Sequence, residues 1–151
     1  MANNSYVIDA SVVVKWFLND EEHIDIATRV LEEFLSKNIT LHAPDILTYE
    51  LGGMLVKATR QGGGRITDEE AEESLSDFLQ LPIEFHKLEE PASNRVIKSA
   101  CKYRRGGFND YVYIDMAIEL GCSWLTDDRK FRSPLPEDFP VSNILLLESF
   151  S

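Results

Sequence analysis

Short apolar runs alternate with segments of helical period along this chain, and that alternation constrains the fold more than any other feature. Tyr6-Val7-Ile8 has strand length and stops at Asp9. Asn19 or Asp20 is placed to cap a helix in which Ile24, Ala27, Val30, Leu31, Phe34 and Leu35 recur at helical spacing. Ile39-Thr40-Leu41-His42-Ala43 alternates as a strand, and Pro44-Asp45 opens a helix reaching Arg60. Gly62-Gly63-Gly64 breaks that helix. Thr67 with Glu70 then forms a capping-box signature ahead of Ala71, Leu75, Phe78 and Leu79.

Ile83 to Leu88 reads as a further strand, and Pro91 starts a helix to Tyr103 that Gly106-Gly107 ends. Asp110 to Leu120 is a last helix, leading through Gly121 into the strand Ser123-Trp124-Leu125-Thr126. After a loop with Pro134, Pro136 and Pro140, Ile144-Leu145-Leu146-Leu147 supplies one more strand. Strands alternating with helices of this length predict an α/β fold, a central parallel sheet flanked by helices on both faces. Residues 1–151 carry no internal repeat, low-complexity tract or linker, so a single domain is expected.

Composition narrows the partners. The hydrophobic share of 44% and charged share of 27% are ordinary for a globular chain. No stretch resembles a signal peptide or transmembrane span, which makes a soluble cytoplasmic protein without a membrane partner the expectation. Cys101 and Cys122 lack metal-ligand spacing and read as reduced core residues. A net charge of -11 argues against a broad electrostatic grip on nucleic acid. Any such partner needs local help from bound cations or from basic clusters at Lys57 and Arg60, Arg104-Arg105 and Arg129-Lys130.

Four acids stand where hydrophobic elements begin or end. Asp9 and Asp128 follow two strands, and in open α/β sheets the carboxyl ends of parallel strands line the ligand crevice. Glu50 falls at the edge of the stripe Leu47, Leu51, Met54, Leu55 and Ala58, with Met54 beside it. Asp110 opens the last helix on the side of Ile114 and Ala117, while Asp115 and Glu119 project together on the opposite, solvated side. Taken singly, each acid has a plain role as a cap, a turn residue or a surface group. Partly buried carboxylates need an offsetting positive charge, and no lysine or arginine stands at matching sequence positions. Clustered carboxylates without histidine or cysteine select hard cations such as Mg²⁺ or Mn²⁺. His23, His42 and His86 are scattered and read as structural or surface residues.

The chain resembles a PIN domain of the VapC toxin type over nearly its full length. The resemblance is carried by Val7-Ile8-Asp9-Ala10-Ser11 with Lys15-Trp16-Phe17, by Ala43-Pro44-Asp45-Ile46 followed by Glu50, and by Asn109-Asp110 through Tyr113 and Ala117 to Leu125-Thr126-Asp127-Asp128. It implies a three-layer α/β/α domain in which Asp9, Glu50, Asp110 and Asp128 form a catalytic, metal-binding quartet flanked by Ser11 and Thr126. It further implies Mg²⁺- or Mn²⁺-dependent endoribonuclease activity with water as nucleophile, a cognate VapB-like antitoxin and a homodimer. Arg104, Arg105, Arg129 and Lys130 are the expected RNA contacts. Gly53 departs from the family pattern, which often has an asparagine nearby. A catalytically inactive PIN-like binding protein is the competing expectation. The apolar stripes of Leu47–Ala58 and Ala71–Leu79 are the expected docking surface for a second copy or an antitoxin helix.

Overall fold

Val7 and Ile8 are completely buried, and the strand they belong to, β1 (Asn4–Ile8), runs through the middle of the molecule. The computed structural model describes residues 4–131 and 135–151; Pro134 of the expected proline-rich loop lies outside them. Among the described residues β1 joins β2 (Ile39–Pro44), β3 (Glu84–His86), β4 (Ser123–Thr126) and β5 (Ile144–Leu146) in one sheet. The order is β3-β2-β1-β4-β5 and every pairing is parallel. From β1 the chain winds outward through β2 to β3, then returns to the other side of β1 for β4 and β5. The β1/β4 boundary is therefore the topological switch point, where the crossover helices leave on opposite faces and a crevice opens.

Two apolar layers cover the sheet. Ile8, Leu41, Ala43 and Leu125 pack with Val12, Val30, Phe34, Leu47, Leu51 and Leu55 on one face, from α1 (Ala10–Val13), α2 (Ile24–Leu35) and α3 (Ile46–Arg60). On the other, Val7 and Trp124 pack with Val96, Tyr111, Val112 and Ile114 of α5 (Ala92–Tyr103) and α6 (Phe108–Leu120). This is the three-layer arrangement expected. The capping box before α4 (Asp68–Gln80) is also present: Glu70 N–H donates to Thr67 Oγ1 and Thr67 N–H to Glu70 Oε1, each at 3.1 Å. The exposed surface of α4 carries Asp68, Glu69, Glu70, Glu72, Glu73 and Asp77, with no basic residue in the helix.

Several boundaries differ from expectation for physical reasons. Asp20 does not cap α2. Its carboxylate, with that of Glu21, is held by the Arg65 guanidinium, and the helix starts after His23 in the left-handed region. The segment after Asp9 turns at once into α1 and a 3-10 turn at Val14–Trp16, because Asp9 accepts the Ser11 N–H as an N-cap. β3 is shorter than 83–88, and β5 gives way at Leu147 to a 3-10 turn. Cys101 is exposed and Cys122 only half-buried, so neither is a full core residue. Leu47, Leu51, Leu55 and Ala58 are core rather than docking surface, leaving Tyr49, Met54 and Val56 as the exposed apolar residues of α3. No helix among the described residues is long and apolar enough to cross a membrane.

Candidate functional site

Asp9, Glu50, Asp110 and Asp128 meet in one pocket of about 430 Å³ at the switch point, which Ser11, Gly53, Met54, Lys57, Tyr113, Trp124 and Lys130 also line. β1 delivers Asp9 and β4 delivers Thr126, whose chain continues to Asp128. α3 brings Glu50 and, two turns on, Lys57. Asp110 is the third residue of α6, and its Oδ2 accepts the Gly107 N–H at 2.7 Å, which fixes it against the helix start.

Asp9 is the most enclosed of the four, 7% exposed. Its Oδ1 accepts from Ser11 N–H at 3.0 Å and Ser11 Oγ at 2.6 Å, and its Oδ2 from Trp124 Nε1 at 3.0 Å and Thr126 Oγ1 at 2.5 Å. Four donors engage all the acceptor sites a carboxylate offers. They favour the ionised form, yet burial outweighs them, and with the nearby Glu50 charge it pushes the Asp9 carboxyl up to about 6. The same hydroxyls grip the next loop: Ser11 Oγ accepts from Asp127 N–H at 2.8 Å and Thr126 Oγ1 from Asp128 N–H at 3.0 Å. Ser11 and Thr126 thus clasp the ends of β1 and β4 to each other through Asp9.

Glu50 is half-buried, and burial raises its carboxyl above the usual range against the opposing bond from Tyr113. Tyr113 Oη donates to Glu50 Oε1 at 2.6 Å, and its ring stacks on Trp124 at 5.5 Å between centroids. Burial and the Glu50 carboxylate hold the Tyr113 hydroxyl protonated, so it serves as a donor. Neither aromatic was assigned a role from sequence. The signal was present: Tyr113 lies one helical turn after Asp110, and Trp124 shares a strand face with Thr126.

Lys130 corrects the expectation that no base offsets the acids. Its ammonium lies 3.1 Å from both Asp110 Oδ2 and Asp128 Oδ2. Burial opposes its charge, but those two carboxylates outweigh burial and raise its pKa. The side chain is 41% exposed, so the ammonium is able to swing toward solvent. The remaining expected contacts lie elsewhere. Arg129 pairs with Glu148 at 2.9 Å, and neither Arg104 nor Arg105 lines the pocket. Lys57, noted in the sequence only as part of a basic cluster, does line it.

The nearby acids are accounted for. Asp115 is not freely solvated: Arg95 grips it through Nε at 2.9 Å and the terminal nitrogen at 3.1 Å, on the side of α6 away from the pocket. Asp127 pairs with the buried Lys15 at 3.1 Å and with His23 at 3.3 Å, outside the pocket. Gly53 lines the pocket, and a Cβ added there meets nothing within 4 Å.

The sheet order and the strand-end acids define the class, a doubly wound parallel α/β domain with a carboxylate pocket at its switch point. The PIN domain family model matches residues 6–134, and the chain belongs to that family. No curated protein matches the chain. Among solved structures it is similar to PAE2754 from Pyrobaculum aerophilum, at 21% identity and a TM-score of 0.65 over 97% of this chain and 91% of that one. It is also similar to VapBC2 from Rickettsia felis bound to a DNA fragment from the promoter, at 20% identity and 0.62 over 94% and 96%. VapC20 of Mycobacterium tuberculosis, a sarcin-ricin loop cleaving toxin, matches at 13% identity and 0.61 over 93% and 96%. At these identities the likeness is one of fold.

Proposed function

We propose that this chain is a divalent-metal-dependent endoribonuclease, the toxin of a VapBC-type pair acting in the cytoplasm. The observation that supports it is the convergence of Asp9, Glu50, Asp110 and Asp128 in one pocket at the switch point. Their donor set is all oxygen, and no histidine or cysteine lines the pocket among the described residues, a chemistry suited to Mg²⁺ or Mn²⁺. Asp9, Glu50, Asp110 and Asp128 would hold the cation, which supplies an activated water and offsets charge on a phosphodiester.

The chain's own residues shape that step. Asp9 has its acceptor sites filled, so it ligates only if the Ser11 or Thr126 hydroxyl turns away. Tyr113 fixes Glu50 through a single short bond. A cation held by Asp110 and Asp128 would displace the Lys130 ammonium from between them, and Lys130 would then stand with Lys57 as a phosphate contact. PIN domains are generally nucleases, and the toxin reading draws on the VapBC likeness. A VapB-like antitoxin and a second copy of the chain are the proposed protein partners, with exposed Tyr49, Met54, Val56 and Leu79 as the apolar contact residues.

Labelled single-stranded RNA and DNA, incubated with the native chain and with Asp110→Asn in Mn²⁺, Mg²⁺ or chelator, test the reading. Metal-dependent RNA cleavage absent from the variant is the expected result; cleavage that survives chelator or the substitution overturns it. Lys130 supports a second reading, an inactive PIN-like binding protein, because its ammonium already offsets part of the pocket's charge. Absence of Mn²⁺ binding by calorimetry would favour that reading.

A further inference from the structure

His42, Glu84 and His86 form a cluster separate from the acidic pocket, although the sequence treats the histidines as scattered. His42 of β2 is in register with Glu84 of β3, and Pro44 with His86. Residues two apart on a strand share a face, so all three side chains leave the sheet on the same side. His42 Nδ1 lies 2.9 Å from His86 Nε2 and 3.3 Å from Glu84 Oε2. One ligand atom from each residue falls within 4.8 Å of the others. For a tetrahedral Zn²⁺ with nitrogens at about 2.0–2.1 Å, ligand atoms stand roughly 3.3 Å apart. The cluster is already close to that spacing.

We infer that His42, Glu84 and His86 bind one zinc-class divalent cation through two imidazole nitrogens and one carboxylate oxygen, with a fourth position open to water. Imidazole ligands suit Zn²⁺ and its neighbours, whereas the all-oxygen pocket at the switch point suits harder ions. The two sites therefore sort cations by chemistry. Without metal, one proton serves the cluster: assigned to His42 Nδ1, it is donated toward His86 Nε2 and the Glu84 carboxylate, both of which accept. The cation takes that proton's place and the proton moves to His42 Nε2, so two neutral imidazoles and a carboxylate bind without net proton release. β3 is a three-residue edge strand, and a metal shared with β2 ties that edge to the neighbouring inner strand.

The test is calorimetric titration of the full chain with ZnCl₂ under saturating MgCl₂, which competes at the acidic pocket, with CoCl₂ as a spectroscopic probe of tetrahedral geometry. One Zn²⁺ per chain is expected, along with a higher unfolding temperature. Glu84→Gln, at an exposed position, and His86→Gln should each weaken binding by more than the roughly 10–100-fold that loss of an outer-shell partner costs. Asp110→Asn should leave this binding in place. Unchanged Zn²⁺ affinity in both folded glutamine variants, or no Zn²⁺ binding by the native chain, overturns the site and leaves an ordinary histidine–histidine hydrogen bond.

Discussion

The two sides of α6 carry acids in opposite circumstances. On one side Asp115 is gripped by both arms of the Arg95 guanidinium, which also stands 3.6 Å from Glu119. On the other, Asp110 faces a pocket where Asp9, Glu50 and Asp128 join it and the cations are the ammonium groups of Lys57 and Lys130. A planar fork matched to a carboxylate completes an ion pair, whereas a flexible ammonium between two carboxylates is easily displaced. Acids of the first kind hold elements together. Those of the second leave charge for a ligand to neutralise.

The largest predicted effect separates the sides by activity. Asp110→Asn should lower metal-dependent RNA cleavage by about 10²-fold or more, the scale seen when a group stabilising transition-state charge is lost. Asp115→Asn should stay within about twofold, since charge on that side does not reach the pocket. Equal losses in a single-turnover assay would erase the distinction.

The next effect concerns pH. Asp9 has a folded-state pKa of about 6 against an ordinary value of 3.8. Between those values the native chain keeps a proton that the unfolded chain has released, so this group's contribution falls as pH rises through the window. At about 1.4 kcal/mol per unit, the full difference is of order 3 kcal/mol. Asp9→Asn should therefore gain on the native chain between pH 4 and pH 7 in metal-free urea unfolding. Saturating Mg²⁺ should reverse that gain, because only the carboxylate binds it. The asparagine also carries a constant penalty: either amide orientation sets its NH₂ against the Ser11 or the Trp124 N–H. A stability difference independent of pH would show that burial of the charge is not what perturbs Asp9.

Lys130→Met removes the displaceable cation. Mn²⁺ affinity by calorimetry should rise by about fivefold, the equivalent of roughly 1 kcal/mol for one partly exposed pair. Arg95→Ala should change the urea-unfolding midpoint only slightly, because that guanidinium is 40% exposed and its ion pair is solvent-screened. Smallest of all, Gly53→Asn should stabilise α3 by about 0.3 kcal/mol through helix propensity. It should change cleavage without disturbing the fold, as a Cβ there meets nothing within 4 Å.

The sheet and its helices were legible because strand and helix periods alternate cleanly, and the acids at strand ends because parallel strands point them at one edge. Position in sequence does not report reach, however. Lys130 follows Asp128 by two residues, and only the turn between them lets its ammonium return to the acids. Arg104 and Arg105, near Asp110 in sequence, end α5 outside the pocket. His42 and His86 looked scattered because the parallel pairing of β2 with β3 that joins them spans a crossover of two helices. Asp20 read as a cap until Arg65, from the loop after α3, claimed it.

The row of acids along α4 bears on how fast a polyanion arrives rather than on how it is cut. With a net charge of -11 and six exposed acids with no basic residue on that helix, the protein repels a nucleic acid that approaches from this side. Salt screens that repulsion over about 10 Å at 0.1 M. The encounter rate should consequently rise with moderate ionic strength, opposite to the trend of a basic nuclease, whose steering salt removes.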